Sequence, residues 1–324
     1  MNPLLEVRNL RMHFPVKGGV FMRSHRANHA VDDVSLHINP GETLGLVGES
    51  GCGKSTLGRC LVRLYDPTEG SIHFAGEDIT HLKPRALRPL RQNIQMIFQD
   101  PMESLNSRHT VGEILEEPLI IQGLGGNSSE RKQRVRELLN IVGLPARSVS
   151  RYPFEFSGGQ RQRIGIARAI ALNPQLIICD EPVSALDVSI QSQILNLLIE
   201  LQQEFNLAYL FIAHDLAVVK HVSDRVAIMY LGRIVETAES ETLYRNASHP
   251  YTKSLISAIP IPDPHRSHAR QILTGDVPSP IAPPTGCHFH PRCPVADASC
   301  SERYPETRSV GEGHLSACHL VPGI

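Results

Sequence analysis

The chain lacks an excess of charge of either sign: Lys and Arg total 32 against 33 Asp and Glu, a formal net charge of −1. A general nucleic-acid binder carries a basic footprint, so that class is excluded. It also lacks any apolar run near the roughly 18 residues that a bilayer-spanning helix needs. The first ten residues set Glu6 and Arg8 inside an apolar pattern, which reads as a strand and not as a signal peptide. These absences point to a cytoplasmic protein that meets a membrane only through partners. An Asn-Lys-x-Asp base-reading motif is missing as well, which excludes a GTP-binding switch. Among the seven cysteines no tight C-x2–4-C pair occurs, the usual mark of structural zinc.

What the chain does have is organised around Gly48-Glu49-Ser50-Gly51-Cys52-Gly53-Lys54-Ser55, a full match to the phosphate-binding loop G-x-x-x-x-G-K-[ST]. Thr43 to Val47 before it reads as a buried strand, and Thr56 to Leu64 after it as a helix. Glycines let the backbone turn its N–H groups inward onto phosphate oxygens, and the helix N-terminus adds partial positive charge. Lys54 is then expected on the β- and γ-phosphates and the Ser55 hydroxyl on Mg²⁺.

Strands and helices alternate along the rest of the chain, which predicts an α/β fold with a largely parallel sheet. Strands are expected at Leu4–Leu10, Val31–Ile38, Ser71–Phe74, Ile94–Phe98, Leu176–Asp180 and Leu207–Ala213. Helical patterns fill Val111–Leu144, Phe156–Leu172 and 189–204. Leu176-Ile177-Ile178-Cys179-Asp180-Glu181 is an apolar strand ending in two acids, costly unless a cation is near. Asp180 is expected to hold Mg²⁺ and Glu181 to polarise the attacking water. Ser157-Gly158-Gly159-Gln160 opens a helix and reads as a second anion cradle. Two cradles in one chain suggest a site shared head to tail between two subunits. After Ile259 prolines accumulate, so a boundary is placed between residues 1–258 and a Pro-rich extension, 259–324.

In these motifs the chain resembles the nucleotide-binding subunits of ATP-binding-cassette transporters. Arg151-Tyr152-Pro153, Asp180 to Ser189, His249 to Thr252, Gly275 to Pro280 and Gly286-Cys287 are similar to the oligopeptide/dipeptide permease branch, above all to its second ATPase subunit. The resemblance implies an α/β P-loop cassette with a helical subdomain at about 100–172 and a small irregular Cys-rich extension. It implies ATP and Mg²⁺ as cofactors, with Phe14 stacking on adenine and Gln99 sensing Mg²⁺, water and the membrane partner. Ser157 to Gln160 form the signature, with Phe156 where most of the family has Leu. Asp187 ends the loop at the dimer seam, and His214 contacts the γ-phosphate. The implied partners are a related ATPase subunit, two transmembrane permease subunits and, indirectly, an extracytoplasmic peptide-binding protein, with the chain peripheral on the cytoplasmic face of the bacterial membrane. A cassette ATPase acting on nucleic acid or ribosomes would carry two cassettes or a long coiled-coil insertion, and neither is present.

Cys287, Cys293, Cys300 and Cys318 are spaced C-x5-C-x6-C-x17-C. A reducing compartment argues against disulfides, which leaves free thiols, zinc or a [4Fe–4S] cluster. The Cys293-Pro294 step and the resemblance both favour the cluster.

Overall fold

The computed structural model describes residues 2–16, 26–259 and 273–323. Part of the polar stretch expected after Phe14, and the boundary prolines Pro260, Pro262 and Pro264, lie outside them.

In chain order, β1 (Leu5–Pro15) and β2 (Ala27–Ile38) are partly buried strands, and β3 (Thr43–Val47) is buried at every position. Helix α1 (Lys54–Leu61) follows the phosphate loop; it stops three residues short of the expected Leu64, because Val62 caps it and Arg63 takes a left-handed φ of 55°. β4 (Glu69–Phe74), β5 (Glu77–Asp78), α2 (Pro84–Leu90) and β6 (Ile94–Ile97) come next. α3 (Pro101–Ser104) precedes α4 (Val111–Gln122) and α5 (Ser128–Ile141). The single helical stretch expected from Val111 to Leu144 is therefore two helices. Gly123, Gly125 and Gly126 all adopt positive φ between them, and Asn127 caps α5 by accepting from Ser129 and Glu130 N–H groups.

The remainder is α6 (Gly158–Ile170), β7 (Leu176–Asp180), α7 (Val188–Phe205), β8 (Ala208–Ala213), α8 (Leu216–Val222), β9 (Arg225–Tyr230) and β10 (Arg233–Glu239). α9 (Ser240–Asn246), α10 (Pro250–Ser257), α11 (Ser299–Glu302), β11 (Arg308–Gly311) and β12 (His314–Ser316) complete it. No helix among the described residues is long and apolar enough to cross a membrane.

The chain divides into two compact units. The first comprises Met1–His37, Thr43–Thr80 and Ala213–Ile324. It holds an antiparallel sheet, β2-β1-β4-β5, and a run of strands β11-β12-β10-β9-β3. β3 pairs parallel with β9, Leu46 opposite Ala227, which fixes the strand that feeds the phosphate loop. The C-terminal segment belongs to this framework: β12 pairs with β10, Glu236 opposite Ser316.

The second unit comprises Ile38–Glu42 and His81–Ile212. Its sheet core is parallel, β8-β7-β6, with Ile178 opposite both Leu210 and Met96. All five β7 positions are buried, as strands covered on both faces require. α5 buries Val135, Leu138 and Leu139 on one stripe, and α7 buries Ile194, Leu197, Leu198 and Leu201, while Ile190 stays half-exposed.

Candidate active site

The phosphate loop is held by backbone approaches that admit no side chain. A Cβ on Gly48 would lie 2.1 Å from the Met229 carbonyl, and one on Gly53 would lie 1.9 Å from the Ala30 carbonyl. Gly53 also sits at φ 109° as the residue before α1, so it offers no side chain to cap the first-turn N–H groups. Gly51 adopts φ 79° with open space where a Cβ would point. Such a loop, opening a helix, presents backbone donors to an anion. The Lys54 side chain is buried and folded back along the loop: Nζ donates to the Gly48 carbonyl at 2.7 Å and the Glu49 carbonyl at 3.0 Å. Burial raises the Cys52 thiol above its usual range, which keeps it neutral inside the loop. Ser50 is exposed, whereas Ser55 and Thr56 are half-buried on the first turn of α1.

Phe14 lies near the end of β1, half-buried, its ring edge-on to Tyr65 at 5.5 Å. Beside it His13, His29 and Asp32 bring three possible ligand atoms within 4.8 Å of one another. Asp32 is already bonded by Arg233 at 2.7 Å and approached by Arg11 at 3.5 Å. Those two guanidiniums satisfy the carboxylate and oppose a further cation. His214 is exposed just beyond β8, and Asp215 caps α8 by accepting from Ala217 N–H at 2.7 Å.

In the second unit Asp180 ends β7 fully buried, and Glu181 follows. Glu181 adopts φ 47°, a left-handed conformation that costs a non-glycine residue roughly 1–3 kcal/mol and concentrates at functional sites. Its N–H donates to the Ile212 carbonyl at 3.0 Å. Its carboxylate accepts from Gln99 Nε2 at 3.1 Å, so the expected sensor and the expected base meet directly. Ser184 donates to the Glu181 carbonyl at 3.1 Å, bracing the following turn.

Ser157 forms a capping box on α6: its Oγ accepts from Gln160 N–H at 3.4 Å, and Gln160 Oε1 accepts from Ser157 N–H at 3.1 Å. A Cβ on Gly159 would strike Ile190 at 2.4 Å, so that glycine lets α6 pack on α7 as well as opening the helix. Asp187 precedes α7 and is exposed. Sequence reasoning missed two residues that touch the phosphate loop, Tyr251 and Arg292. Tyr251 Oη accepts from Glu49 N–H at 3.0 Å, and Arg292 bonds the Glu49 carboxylate at 2.8 Å.

All four C-terminal cysteines have buried or half-buried side chains. Burial and their mutual proximity push the Cys287 thiol up to about 11 and raise Cys293 and Cys318. Cys287 N–H donates to the Cys300 carbonyl at 2.8 Å, tying the first and third together.

Residues 31–184 match the ABC transporter family, and residues 235–300 match the oligopeptide/dipeptide transporter C-terminal region. The oligopeptide transport ATP-binding protein AppF of Bacillus subtilis is 54% identical over 320 residues, covering 98% of this chain and 97% of that protein. Among solved structures, the ATP-binding cassette MJ0796, a dimer in a post-hydrolysis state with ADP and phosphate, superposes with a TM-score of 0.65 at 29% identity. It covers 73% of this chain and 98% of that one. The cbiO1 subunit of a Clostridium perfringens ABC transporter complex gives a TM-score of 0.65 at 26% identity, over 76% and 92% of the two chains. With these likenesses added to the phosphate loop and the acid-ended strand, the chain belongs to the ABC transporter ATPases, in their oligopeptide/dipeptide transporter group.

Proposed function

We propose that this ABC ATPase is the motor subunit of a bacterial importer of oligopeptides or dipeptides. The observation that carries the catalytic part is Glu181, held in a left-handed conformation with its carboxylate bonded to Gln99. A carboxylate kept in a strained position by its surroundings suits a base that must face one water molecule. Phe14 stacks on adenine, residues Gly48 to Thr56 take the phosphates, and His214 contacts the γ-phosphate. Ser55, Gln99 and Asp180 offer the hard oxygen donors that Mg²⁺ prefers, and the ion would neutralise charge on the phosphates. Ser157 to Gln160 and Asp187 serve the nucleotide of a partner, a second and related ATPase subunit.

The partner ATPase and two membrane permease subunits place the chain peripherally at the cytoplasmic face. An extracytoplasmic peptide-binding protein delivers the solute, and no nucleic acid is involved. A surface groove lined by His109, Glu113, Glu116, Glu117, Ile120 and Ile121 supports docking of a permease subunit, since Ile120 is 56% exposed and Ile121 50%. Co-expression of all subunits and reconstitution in vesicles tests this reading: ATP-dependent uptake of labelled peptides is expected, and ATP turnover that no peptide or permease alters would contradict it.

Residues 259–324 form the C-terminal extension, and its four cysteines bind a [4Fe–4S] cluster. All four thiols are buried or half-buried, and Cys287 senses the charge of Cys293, Cys300 and Cys318; a set of four soft sulfur donors suits an iron–sulfur centre. Bound there, the cluster would supply cross-linking of a segment with little core.

A further inference from the structure

Glu49 is the only acid in the phosphate loop, and each of its polar groups is engaged. Its N–H donates to Tyr251 Oη at 3.0 Å, and its carbonyl accepts from Lys54 Nζ at 3.0 Å. Its carboxylate accepts both arms of one guanidinium: Arg292 Nη1 reaches Oε2 at 2.8 Å and Nη2 reaches Oε1 at 3.1 Å. This is the fork geometry that arginine makes and lysine cannot. Arg292 lies 243 positions along the chain from Glu49, in the cysteine-bearing segment immediately before Cys293.

The guanidinium is built in. The Arg292 side chain is 7% exposed against 27% for Glu49. Nη1 also lies 3.4 Å from Tyr230 Oη, and the guanidinium carbon sits 5.9 Å from the Tyr230 ring centre. Tyr230 in turn packs with Tyr251 and Phe289, the three ring centres 4.7 to 5.3 Å apart.

Charge arithmetic gives the pair a purpose. The loop must accept a polyanion, yet it carries a carboxylate in its own sequence. A half-buried carboxylate left unpaired would repel the incoming phosphates and free the backbone that Lys54 and Tyr251 share. We propose that Arg292 is a positioning residue for nucleotide binding: it cancels the Glu49 charge and fixes the phosphate loop, so that the cysteine-bearing C-terminal segment sets the affinity for ATP. The inference rests on the reading of residues 48–55 as the phosphate site and adds a control that this reading does not contain. The segment around Cys293 thereby becomes a strut of the ATP site.

The test is calorimetric titration of the full chain with ATP, ADP and AMP at low and high salt, beside thermal unfolding without nucleotide. Losing a charged, bidentate bond implies roughly a tenfold weaker affinity for ATP in Arg292→Gln. The loss should shrink from ATP to ADP to AMP and diminish with salt, because it is a repulsion that scales with phosphate charge. Adding Glu49→Gln to Arg292→Gln should recover most of the lost affinity, and Arg292→Lys should fall between wild type and Arg292→Gln. A purely structural role would lower the unfolding temperature and weaken all three nucleotides alike, and that result overturns the proposal. Unchanged ATP affinity in Arg292→Gln, or a loss that Glu49→Gln does not repair, overturns it too. If Arg292→Gln fails to fold, Arg292→Lys and the double variant carry the same comparison. Lys54→Ala separates the two levels: if it binds ATP like wild type, the phosphate-loop reading itself fails, whereas abolished binding with no Arg292 effect rejects only the strut.

Discussion

His314 Nε2 lies 2.7 Å from Glu236 Oε1, and both side chains are almost wholly buried. The same carboxylate accepts from Ser248 N–H at 2.6 Å and His249 N–H at 3.0 Å. One acid on β10 thus ties β12 and the start of α10 to the strands that carry the phosphate loop. Glu236→Ala leaves two backbone donors and an imidazole without their acceptor, and a loss of roughly 3–5 kcal/mol is expected. Urea unfolding measures it; a change under about 0.5 kcal/mol, the level of an ordinary surface substitution, would refute the role.

His249 gives the fold an acid-sensitive point. Burial pushes its imidazole down to about 3, helped by the nearby charge of Lys253. Its Nδ1 accepts from Tyr251 N–H at 3.1 Å, so the neutral ring caps α10. In the unfolded chain a histidine titrates near 6.5, so below that pH the unfolded state binds a proton that the folded state refuses. The contribution is intact above about 6.5 and is lost as pH falls toward 3, with a slope up to about 1.4 kcal/mol per pH unit. His249→Asn keeps a capping side chain without the titration and should flatten that slope in unfolding measured between pH 7 and 4. An unchanged slope would show that other groups govern it.

The four cysteines predict an iron content. Anaerobic purification should yield a brown protein with broad absorbance near 400 nm and about four irons per chain, and Cys293→Ser should lose most of both. Stoichiometric zinc without iron would reject the cluster and leave the ATPase reading standing.

The local motifs were legible and the long-range braces were not. β3, β7 and β8 announce themselves because buried parallel strands are continuous apolar runs. The phosphate loop does so because its glycines are demanded by backbone approaches at Gly48 and Gly53. α2 was missed: it starts at Pro84 and carries Pro89 inside, a pattern that argues against a helix by local rules. The split between α4 and α5 turns on glycines whose positive φ the apolar periodicity does not register. The strain at Glu181 leaves no trace in composition, and Tyr251 and Arg292 reach Glu49 from 202 and 243 positions away. Only folding brings single side chains so far apart in sequence into one cluster.

On the proposed reading the isolated chain should be a poor ATPase, because the signature at Ser157 to Gln160 would serve a partner's nucleotide. Groups supplied in trans contribute roughly 10³–10⁵ in rate in other phosphoryl-transfer enzymes. Adding the second ATPase subunit and the permease subunits should raise turnover by orders of magnitude in a coupled phosphate-release assay. Equal rates for the chain alone and the complex would remove the shared-site argument.

Glu181→Gln, introduced in this chain within the assembled transporter, addresses the hydrolytic role head-on. The amide keeps the shape and the neighbourhood of Gln99 but cannot take a proton from water. Steady-state ATP turnover should fall by roughly 10²–10⁴, while ATP affinity stays within about twofold of wild type, since no phosphate-loop group is altered. Near-normal turnover in that variant, with every partner subunit present, would contradict the assignment of Glu181 as the base.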